Sequence, residues 1–454
     1  MNIVFYSTNS NFYDAAKIQE YFWPTKKQEW EQLAQEFPEH NFFVASQMPA
    51  LFLVDTTEGV FGTSPNNVKY VCLIKQHAQD IAQEILDLHP DAAFSASFWV
   101  TPYDWLPLQD ALVAQILAEH GVKTVCPSAD SAFSAFDKWQ THLLLEKHGF
   151  SIPNAVYVHH ELFWCERGNK EIKTNVYKDY VLSAIQKLKL PLIIKDTVGL
   201  SSYGAEVVPT YKAAAGFLQS HKNSSDRIVE EYVSGFQFGT EIHGTPGSYT
   251  VMPPFMFSVN QYGITSPKQS VKAGPVISDC FKIAELNDML VRLAEELGFS
   301  GIVQVDLVFS PENGGKWYIL EINPRLSGMS ELYARAQGLS LCKMLLKIVL
   351  GQPSEKLDCA CNIKFPLLSV HQLAELHELP FVKYIHQIHN LAARQKRETG
   401  YCELIFTGKN FVALEENLNR LESCFPDAVE PAFIQKAREL MGILKESICK
   451  NQNP

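Results

Sequence analysis

Two short segments near residue 310 place acidic side chains on what are predicted to be neighbouring strands. GIVQVDLVFS (301–310) and KWYILEINP (316–324) are rich in β-branched and aromatic residues, and the turn sequence PENGG joins them. Because side chains alternate between the two faces of a strand, Asp306 and Glu321 are expected to point the same way near the middle of both strands. Adjacent carboxylates repel each other unless a cation lies between them, so the pair predicts a cation site.

The second strand continues with polar residues at the same two-residue spacing. Asn323 and Arg325 follow Glu321, so all three are expected on one side of the strand. Carboxylate and amide oxygens suit a Mg²⁺ ion that bridges phosphates. An arginine beside them suits a transferring phosphoryl group or an acyl phosphate. The alternative is that these acids only decorate a solvated sheet face.

Two segments upstream have features of a nucleotide site. PLIIKD (191–196) and GAEVVP (204–209) are predicted to form a hairpin with a Gly/Ser-rich tip. Lys195 would supply charge to a phosphate and the tip would supply backbone N–H groups, although a surface hairpin fits the same residues. RIVEEYV (227–233) is a strand whose edge offers adenine a donor and an acceptor, and a plain edge strand is the alternative.

Composition excludes several classes of function. The net charge of −11 works against sequence-independent binding of nucleic acid, and no apolar run is long enough to span a bilayer. The N-terminus does not match a signal peptide, and ten cysteines without a CxxC pair indicate reduced thiols, so the cytoplasm is the expected location. Cys359 and Cys361 lack the second ligand pair of a structural zinc site.

Strands and helices alternate in the first part of the chain, which predicts an open α/β sheet of Rossmann-like type that ends near residue 130. Helical spacing of apolar residues, with a glycine at the end, predicts helices over 108–120, 137–149 and 285–298.

Together these segments resemble the ATP-grasp superfamily, in particular its carboxylate–amine ligases of the amino-acid type. The similarity is most specific in VDLVF and YILEINPRLSG. It implies a three-lobed α/β fold that starts with a Rossmann-like domain in residues 1–130. An ATP-grasp domain would follow in 131–351, with a mobile lid at about 150–235 and a metal-binding sheet at about 236–351. A C-terminal lobe in 352–454 would complete the substrate pocket.

The resemblance also assigns roles to single residues. Asp306, Glu321 and Asn323 would bind a pair of Mg²⁺ or Mn²⁺ ions, and Arg325 would steady the phosphoryl group and the substrate carboxylate. Gln237 stands where relatives often have a ribose-binding glutamate. The expected ATP contacts are Lys138, Lys195, Ser201, Ser202, Gly204, Glu230, Glu231, Tyr232, Val233 and Gln237.

Substrate contacts are expected at the loop 265–276 and at the end of the second metal-site strand. Lys268 is a catalytic candidate, and Lys272 a substrate-binding one, although both fit solvated loop lysines as well. Glu241 is expected either to face the substrate site or to have a structural role. Gln304 replaces an arginine of D-alanine–D-alanine ligases, which argues against that activity. The remaining substrate candidates are Ser327 and Gly328.

The implied reaction is ATP-dependent amide formation between a small carboxylate, an amino acid or small peptide, and an amine. An acyl phosphate would be the intermediate, and ADP and phosphate the products. A carboxylase resembling biotin carboxylase and an ATP-binding regulatory protein without turnover are the alternatives. The expected partners are small molecules, with no nucleic acid and no membrane, and a homodimer is the commonest arrangement for such enzymes.

Overall fold

The computed structural model describes residues 1–8, 18–47, 66–98, 106–169, 171–198, 205–221, 223–259, 270–390, 400–426 and 430–451. No helix in these ranges is long and apolar enough to cross a membrane.

Strands and helices alternate along the chain, as the sequence predicts. The strands in the described ranges are β1 (Asn2–Ser7), β2 (Ile18–Trp23), β3 (Asn41–Ser46), β4 (Val68–Cys72), β5 (Ala92–Ser95), β6 (Lys123–Val125), β7 (Ala155–Val158), β8 (Leu192–Asp196), β9 (Glu206–Val208), β10 (Arg227–Glu231), β11 (Phe236–Thr245), β12 (Ser248–Val251), β13 (Phe255–Phe257), β14 (Lys272–Gly274), β15 (Gly301–Ser310), β16 (Lys316–Asn323), β17 (Cys359–Phe365), β18 (Val382–Asn390) and β19 (Gly400–Gly408).

The α-helices in the same ranges are α1 (Lys26–Glu36), α2 (Ala78–Leu86), α3 (Leu106–Glu119), α4 (Ala129–Phe136), α5 (Lys138–Lys147), α6 (His160–Phe163), α7 (Cys165–Gly168), α8 (Val176–Ile185), α9 (Tyr211–Leu218), α10 (Ile283–Leu297), α11 (Gly328–Ala336), α12 (Leu341–Val349), α13 (Val370–His377), α14 (Phe411–Cys424) and α15 (Pro431–Asn451).

The first sheet is parallel and has five strands in the order β4-β3-β1-β5-β6. Its central strand β1 is almost continuously buried, which is typical of a parallel strand covered on both faces. The order reverses between β1 and β5, as in a doubly wound sheet. The predicted Rossmann-like arrangement is therefore confirmed.

A second, antiparallel sheet has four strands in the order β7-β10-β8-β9. The pairing of β8 with β9, for example Leu192 with Val208, agrees with the predicted hairpin. One face of this sheet packs on α8 and α9 around buried residues such as Val181, Ile194 and Val229. It therefore has a hydrophobic core of its own, and we call it the lid sheet.

The largest sheet has ten strands, with β12 paired to β11 and the others in the order β16-β15-β11-β13-β14-β17-β19-β18-β2. It contains the predicted hairpin of β15 and β16 at one edge. At the other edge β2, from the first part of the chain, pairs with β18. Strands from both sides of the boundaries predicted at residues 130 and 351, namely β2 and β17–β19, thus belong to this one sheet.

Helix ends follow the local sequence. The side chain of Asp137 accepts hydrogen bonds from the backbone N–H groups of Trp139 and Gln140 and so starts α5. Gly298 ends α10 in the left-handed conformation that glycine adopts without strain. The predicted helices over 137–149 and 285–298 are both present at nearly the expected positions.

Four buried charged residues join α1 to α11. Lys26 donates to Glu331 at 2.9 Å, and Arg335 forms ion pairs with both Glu331 and Glu29. The side chains of all four are at most 7% exposed. Since α11 follows directly after β16, which carries Glu321 and Asn323, this network attaches the first part of the chain to the helix that begins just after those residues.

Replacing Gly235, between β10 and β11, by alanine is expected to lower the urea midpoint of unfolding. Its φ is +156°, and a Cβ there would lie 2.2 Å from the backbone oxygen of Phe309, which costs about 1–3 kcal/mol. Gly216→Ala in α9 is the control, since a Cβ at that position has no atom within 4 Å and favours a helix. Equal midpoints for both variants would contradict this interpretation.

Candidate active site

The two acidic residues predicted to form a cation site are direct cross-strand neighbours. Asp306 of β15 is opposite Glu321 of β16, and on its other side it is opposite Gly239 of β11. The ring of Phe257 lies where a Cβ on Gly239 would be, since that Cβ would be 2.2 Å from Cζ of Phe257. The juxtaposition expected from the alternation of side chains is therefore present.

A hydrogen-bonded row of polar groups lies beside the acidic pair. Gln304 is opposite Asn323, accepts a hydrogen bond from its Nδ2 at 3.0 Å and donates to Oδ1 of Asp306 at 2.5 Å. Arg325 donates to Oδ1 of Asn323 at 3.0 Å. Gln304 therefore orients Asp306 and Asn323, two of the three predicted metal ligands, a role that its sequence position did not reveal.

The surroundings of Asp306 disfavour the ionised form of its carboxyl group. Burial and repulsion from Glu321 raise its pKa to about 7, although Lys272, Gln304 and Arg325 act in the opposite direction. The carboxylates therefore repel each other in spite of two nearby cationic side chains. Two carboxylates and an amide oxygen form a hard, all-oxygen donor set, which fits a Mg²⁺ ion.

Lys138, the first residue of α5, extends its side chain toward the acidic pair on β15 and β16. Its Nζ lies 3.2 Å from Oε1 of Glu321, and its backbone N–H donates to the carbonyl oxygen of Thr197 at 2.8 Å. The neighbouring Trp139 stacks on Tyr157 of the lid sheet, with ring centroids 5.5 Å apart. The start of α5 therefore connects the lid sheet with the metal-site strand.

A small recess opens where α4 and α5 meet the end of β16. It is lined by Pro107, Ala132, Ala135, Phe136, Lys138, Glu321, Ile322, Asn323 and Pro324.

Lys195 lies on the lid sheet, on the face opposite to its hydrophobic core. It pairs with Ile228 in register, and its Nζ lies 2.5 Å from Oε2 of Glu230, two residues farther along β10. Glu230 is buried. Lys195 and Glu230, both predicted to contact ATP, are thus in direct contact with each other.

The other predicted ATP contacts in and after β10 have different surroundings. The side chain of Glu231 accepts hydrogen bonds from Nδ2 of Asn154 and from the backbone N–H of Lys189. Both of its carboxylate oxygens therefore bind segments next to the lid sheet. Burial raises the pKa of Tyr232. Val233 is partly buried at the end of β10, and Gln237 is partly buried on β11.

Glu241, which the sequence left open, is fully buried and heavily hydrogen-bonded. It accepts hydrogen bonds from Ser330 at 2.7 Å and Ser327 at 3.3 Å, and it contacts Nε2 of His243 at 2.7 Å. Ser327 and Ser330 also form the capping box of α11. Glu241 therefore holds the first turn of α11, the helix that follows the strand with the predicted metal ligands Glu321 and Asn323.

Lys272 of β14 reaches the beginning of α11. A Cβ on Gly328 would lie 3.3 Å from its Nζ, so the two predicted substrate contacts are adjacent. Burial lowers the pKa of Lys272, while Glu403, Asp306 and Glu241 raise it. Lys268 lies outside the described residues, and so do Ser201, Ser202 and Gly204 at the tip of the predicted hairpin.

Comparisons with known proteins agree with this geometry. A family model described as an ATP-grasp domain matches residues 135–329. The carbamoyl phosphate synthase large chain of Clostridium beijerinckii is 23% identical over 278 residues, which are 58% of this chain and 24% of the relative. That of Halobacterium salinarum is 21% identical over 318 residues, 67% of this chain and 30% of the relative. The chain thus spans less than a third of the length of these curated relatives.

Solved structures match over nearly the whole chain. The L-amino acid ligase from Bacillus licheniformis has a TM-score of 0.62 at 15% identity and covers 93% of this chain and 97% of its own. The ADP complex of N5-carboxyaminoimidazole ribonucleotide synthetase has a TM-score of 0.60 at 14% identity, with 92% and 95% covered. Biotin carboxylase from Campylobacter jejuni has a TM-score of 0.59 at 12% identity, with 100% and 96% covered.

These likenesses confirm the predicted fold class. With the matching family model and the acidic pair on β15 and β16, they identify residues 135–329 of this chain as an ATP-grasp domain.

Proposed function

We propose that the protein is an ATP-dependent carboxylate–amine ligase that joins a small carboxylate, an amino acid or small peptide, to an amine. The observation that carries the proposal is the cross-strand pair of Asp306 and Glu321, with Lys138 at 3.2 Å from Glu321. Two carboxylates alone hold Mg²⁺ weakly, so phosphate oxygens of ATP would complete the ligand set. The solved L-amino acid ligase of the same fold supports an amino acid as substrate.

In the proposed reaction, an oxygen of the substrate carboxylate attacks the γ-phosphorus of ATP and the bond to the β-γ bridging oxygen breaks. The products are an acyl phosphate and ADP. The amine then attacks the acyl carbon, phosphate leaves, and the amine loses a proton to give the amide. A bound Mg²⁺ would neutralise charge on the phosphate oxygens.

The residues of this chain would divide the work by position. Asp306, Glu321 and Asn323 would hold the metal, and Lys138 of α5 and Lys195 of the lid sheet would contact the phosphates. Arg325, which donates to Asn323, points a guanidinium at the same region and is suited to the charge that develops on the phosphoryl group. No enzyme nucleophile is required.

The reaction is tested by incubating the protein with Mg-ATP and a panel of the twenty common amino acids, singly and in pairs. We expect ADP and phosphate to form only with certain pairs, with an amide product visible by mass spectrometry. ADP formation with bicarbonate but with no amino acid would favour a carboxylase, in line with the biotin carboxylase likeness. Binding of ATP without turnover in every mixture would favour a regulatory protein.

Lys195→Met is expected to raise the KM for ATP by about 10-fold or more, because a charge-assisted contact to a phosphate contributes about 1.5–3 kcal/mol. Lys187→Met is the control, since Lys187 is an exposed lysine between α8 and β8 of the lid sheet. Initial rates of ADP formation at varied ATP concentration give the two KM values. An unchanged KM in Lys195→Met would remove this lysine from the nucleotide site.

The remaining predictions belong to the same proposal. A cytoplasmic location and a homodimer stay predictions, as do the domain boundaries at residues 130 and 351. The assignment of ATP contacts to Glu230, Val233 and Gln237 also stays a prediction. The same holds for Ser201, Ser202 and Gly204 at the tip of the predicted hairpin.

A further inference from the structure

Polar side chains extend from the proposed metal site across the same face of the large sheet. Lys272 of β14 is opposite Asn362 of β17, and two residues farther along β17 Lys364 is opposite Glu403 of β19. Cross-strand partners point to the same face, and residues two apart on a strand do so as well. These four side chains therefore form one group, which we call the β17 cluster.

Lys272 is the member of the β17 cluster next to the proposed site of phosphoryl transfer. Its charge interacts with Asp306 and Glu241 on one side and with Glu403 on the other. In the described part of the chain no hydrogen bond or ion pair fixes its ammonium group, which lies over the ring of Phe257 at 5.4 Å. A largely enclosed ammonium of this kind is suited to an anionic ligand.

Asn362 carries an unused acceptor. Its side chain is 0% exposed, and its Nδ2 donates to Oε1 of Glu403 at 2.6 Å. Because a carboxylate only accepts hydrogen bonds, the amide nitrogen must face Glu403, which fixes the orientation of the amide. Its Oδ1 then has no hydrogen-bond partner among the described residues. Buried polar atoms are normally paired, so this oxygen indicates a ligand donor.

Glu403 supplies negative charge beside that oxygen. Burial alone would raise its pKa, but Lys364, Lys272 and Asn362 together hold the pKa below its ordinary value. Lys364 is its ion-pair partner at 3.8 Å, a distance too long for a hydrogen bond. Glu403 is therefore an anion at neutral pH, and one of its oxygens remains available to a donor.

We propose that the β17 cluster recognises the ammonium group of an α-amino acid, the acyl donor of the reaction. The substrate carboxylate would contact Lys272, on the side of Asp306, and the ammonium would contact Oδ1 of Asn362 and the carboxylate of Glu403. This inference rests on the proposed function. It goes further by requiring a free α-ammonium on the molecule that is activated, and it assigns a specificity role to two residues of the C-terminal region.

The first test compares amino acids with the acids that lack only the amino group. Alanine is paired with propionate and phenylalanine with 3-phenylpropionate, each with Mg-ATP and the amine acceptors of the panel. For an amino acid that supports turnover, kcat/KM is expected to exceed that of its deaminated partner by about 10- to 100-fold, since hydrogen bonds to charged groups are lost.

The second test uses Glu403→Gln, which keeps the shape of the side chain and removes its charge. We expect the KM for the amino acid to rise about 10-fold or more, with the KM for ATP unchanged. The preference for the amino acid over its deaminated partner should shrink toward one. Glu416→Gln, exposed on α14, is the control and should retain both the KM and the preference.

The outcomes separate the two levels of the proposal. If no amino acid supports ADP formation, the ligase function itself fails and this inference with it. If amino acids and deaminated acids are used equally well, the ligase function stands and the role of the β17 cluster is overturned. If Glu403→Gln lowers turnover of both kinds of acid equally, Glu403 is structural, and the inference is again overturned.

Discussion

Asp306→Asn is expected to lower the rate of ADP formation by about 10²–10³-fold, the cost of removing one group that stabilises developing charge in an active site. The amide keeps the shape of Asp306 but loses the charge that would hold Mg²⁺ against the phosphates. Glu321→Gln should have an effect of similar size, because the two residues are direct neighbours. Rates at saturating ATP and varied Mg²⁺ measure the loss.

Stability distinguishes a catalytic loss from a folding defect in this variant. The pKa of Asp306 is raised from its ordinary value to about 7, so its ionised form is disfavoured in the folded protein, and stability is lost as the pH rises from that ordinary value through 7. Asp306→Asn should therefore unfold at the same or a higher temperature than the wild type in the absence of Mg²⁺. Asp288→Asn, exposed on α10, should change neither property. Retained turnover in Asp306→Asn would remove the acidic pair from the mechanism.

Arg335→Ala is expected to destabilise the protein by about 3–5 kcal/mol, the usual cost of removing one partner from a buried ionic network. Among the described residues, the variant leaves Glu29 and Glu331 with Lys26 as their cationic partner, and the side chains of the network are at most 7% exposed. The shift is measured as a lower urea midpoint of unfolding.

Activity gives a second view of the same network. Glu331 and Arg335 belong to α11, whose first turn is held by Glu241 at the proposed site. Turnover should therefore fall together with stability in Arg335→Ala. Lys445→Ala breaks a partly exposed ion pair with Glu415 and is the control, with an expected effect of about 0–1 kcal/mol. A midpoint shift as small as that of the control would show that the network does not stabilise the fold.

The sequence by itself determined the elements whose signals are local. The short turn sets the register of β15 and β16 from Ser310–Lys316 to Leu307–Ile319, so the two strands and their acidic residues follow from the local sequence. A β-bulge between Asp306 and Leu307 then shifts the register by one residue and brings Asp306 opposite Glu321. The helices α5 and α10 follow from an N-cap and a C-terminal glycine. The family resemblance rests on the same contiguous segment. Such features depend on residues only a few positions apart.

The tertiary structure decided everything that joins distant segments. β2 pairs with β18 more than 360 positions away, and Glu29 contacts Arg335 across 306. Asn362 and Glu403 meet Lys272 only because β17 and β19 extend the sheet that begins with the metal-site hairpin. No local pattern encodes these contacts, because strand order in a sheet follows from which hydrophobic faces can be buried together. The two acidic residues and the strands that carry them are thus read from the sequence, whereas their exact pairing and the surroundings proposed to select a substrate are properties of the fold.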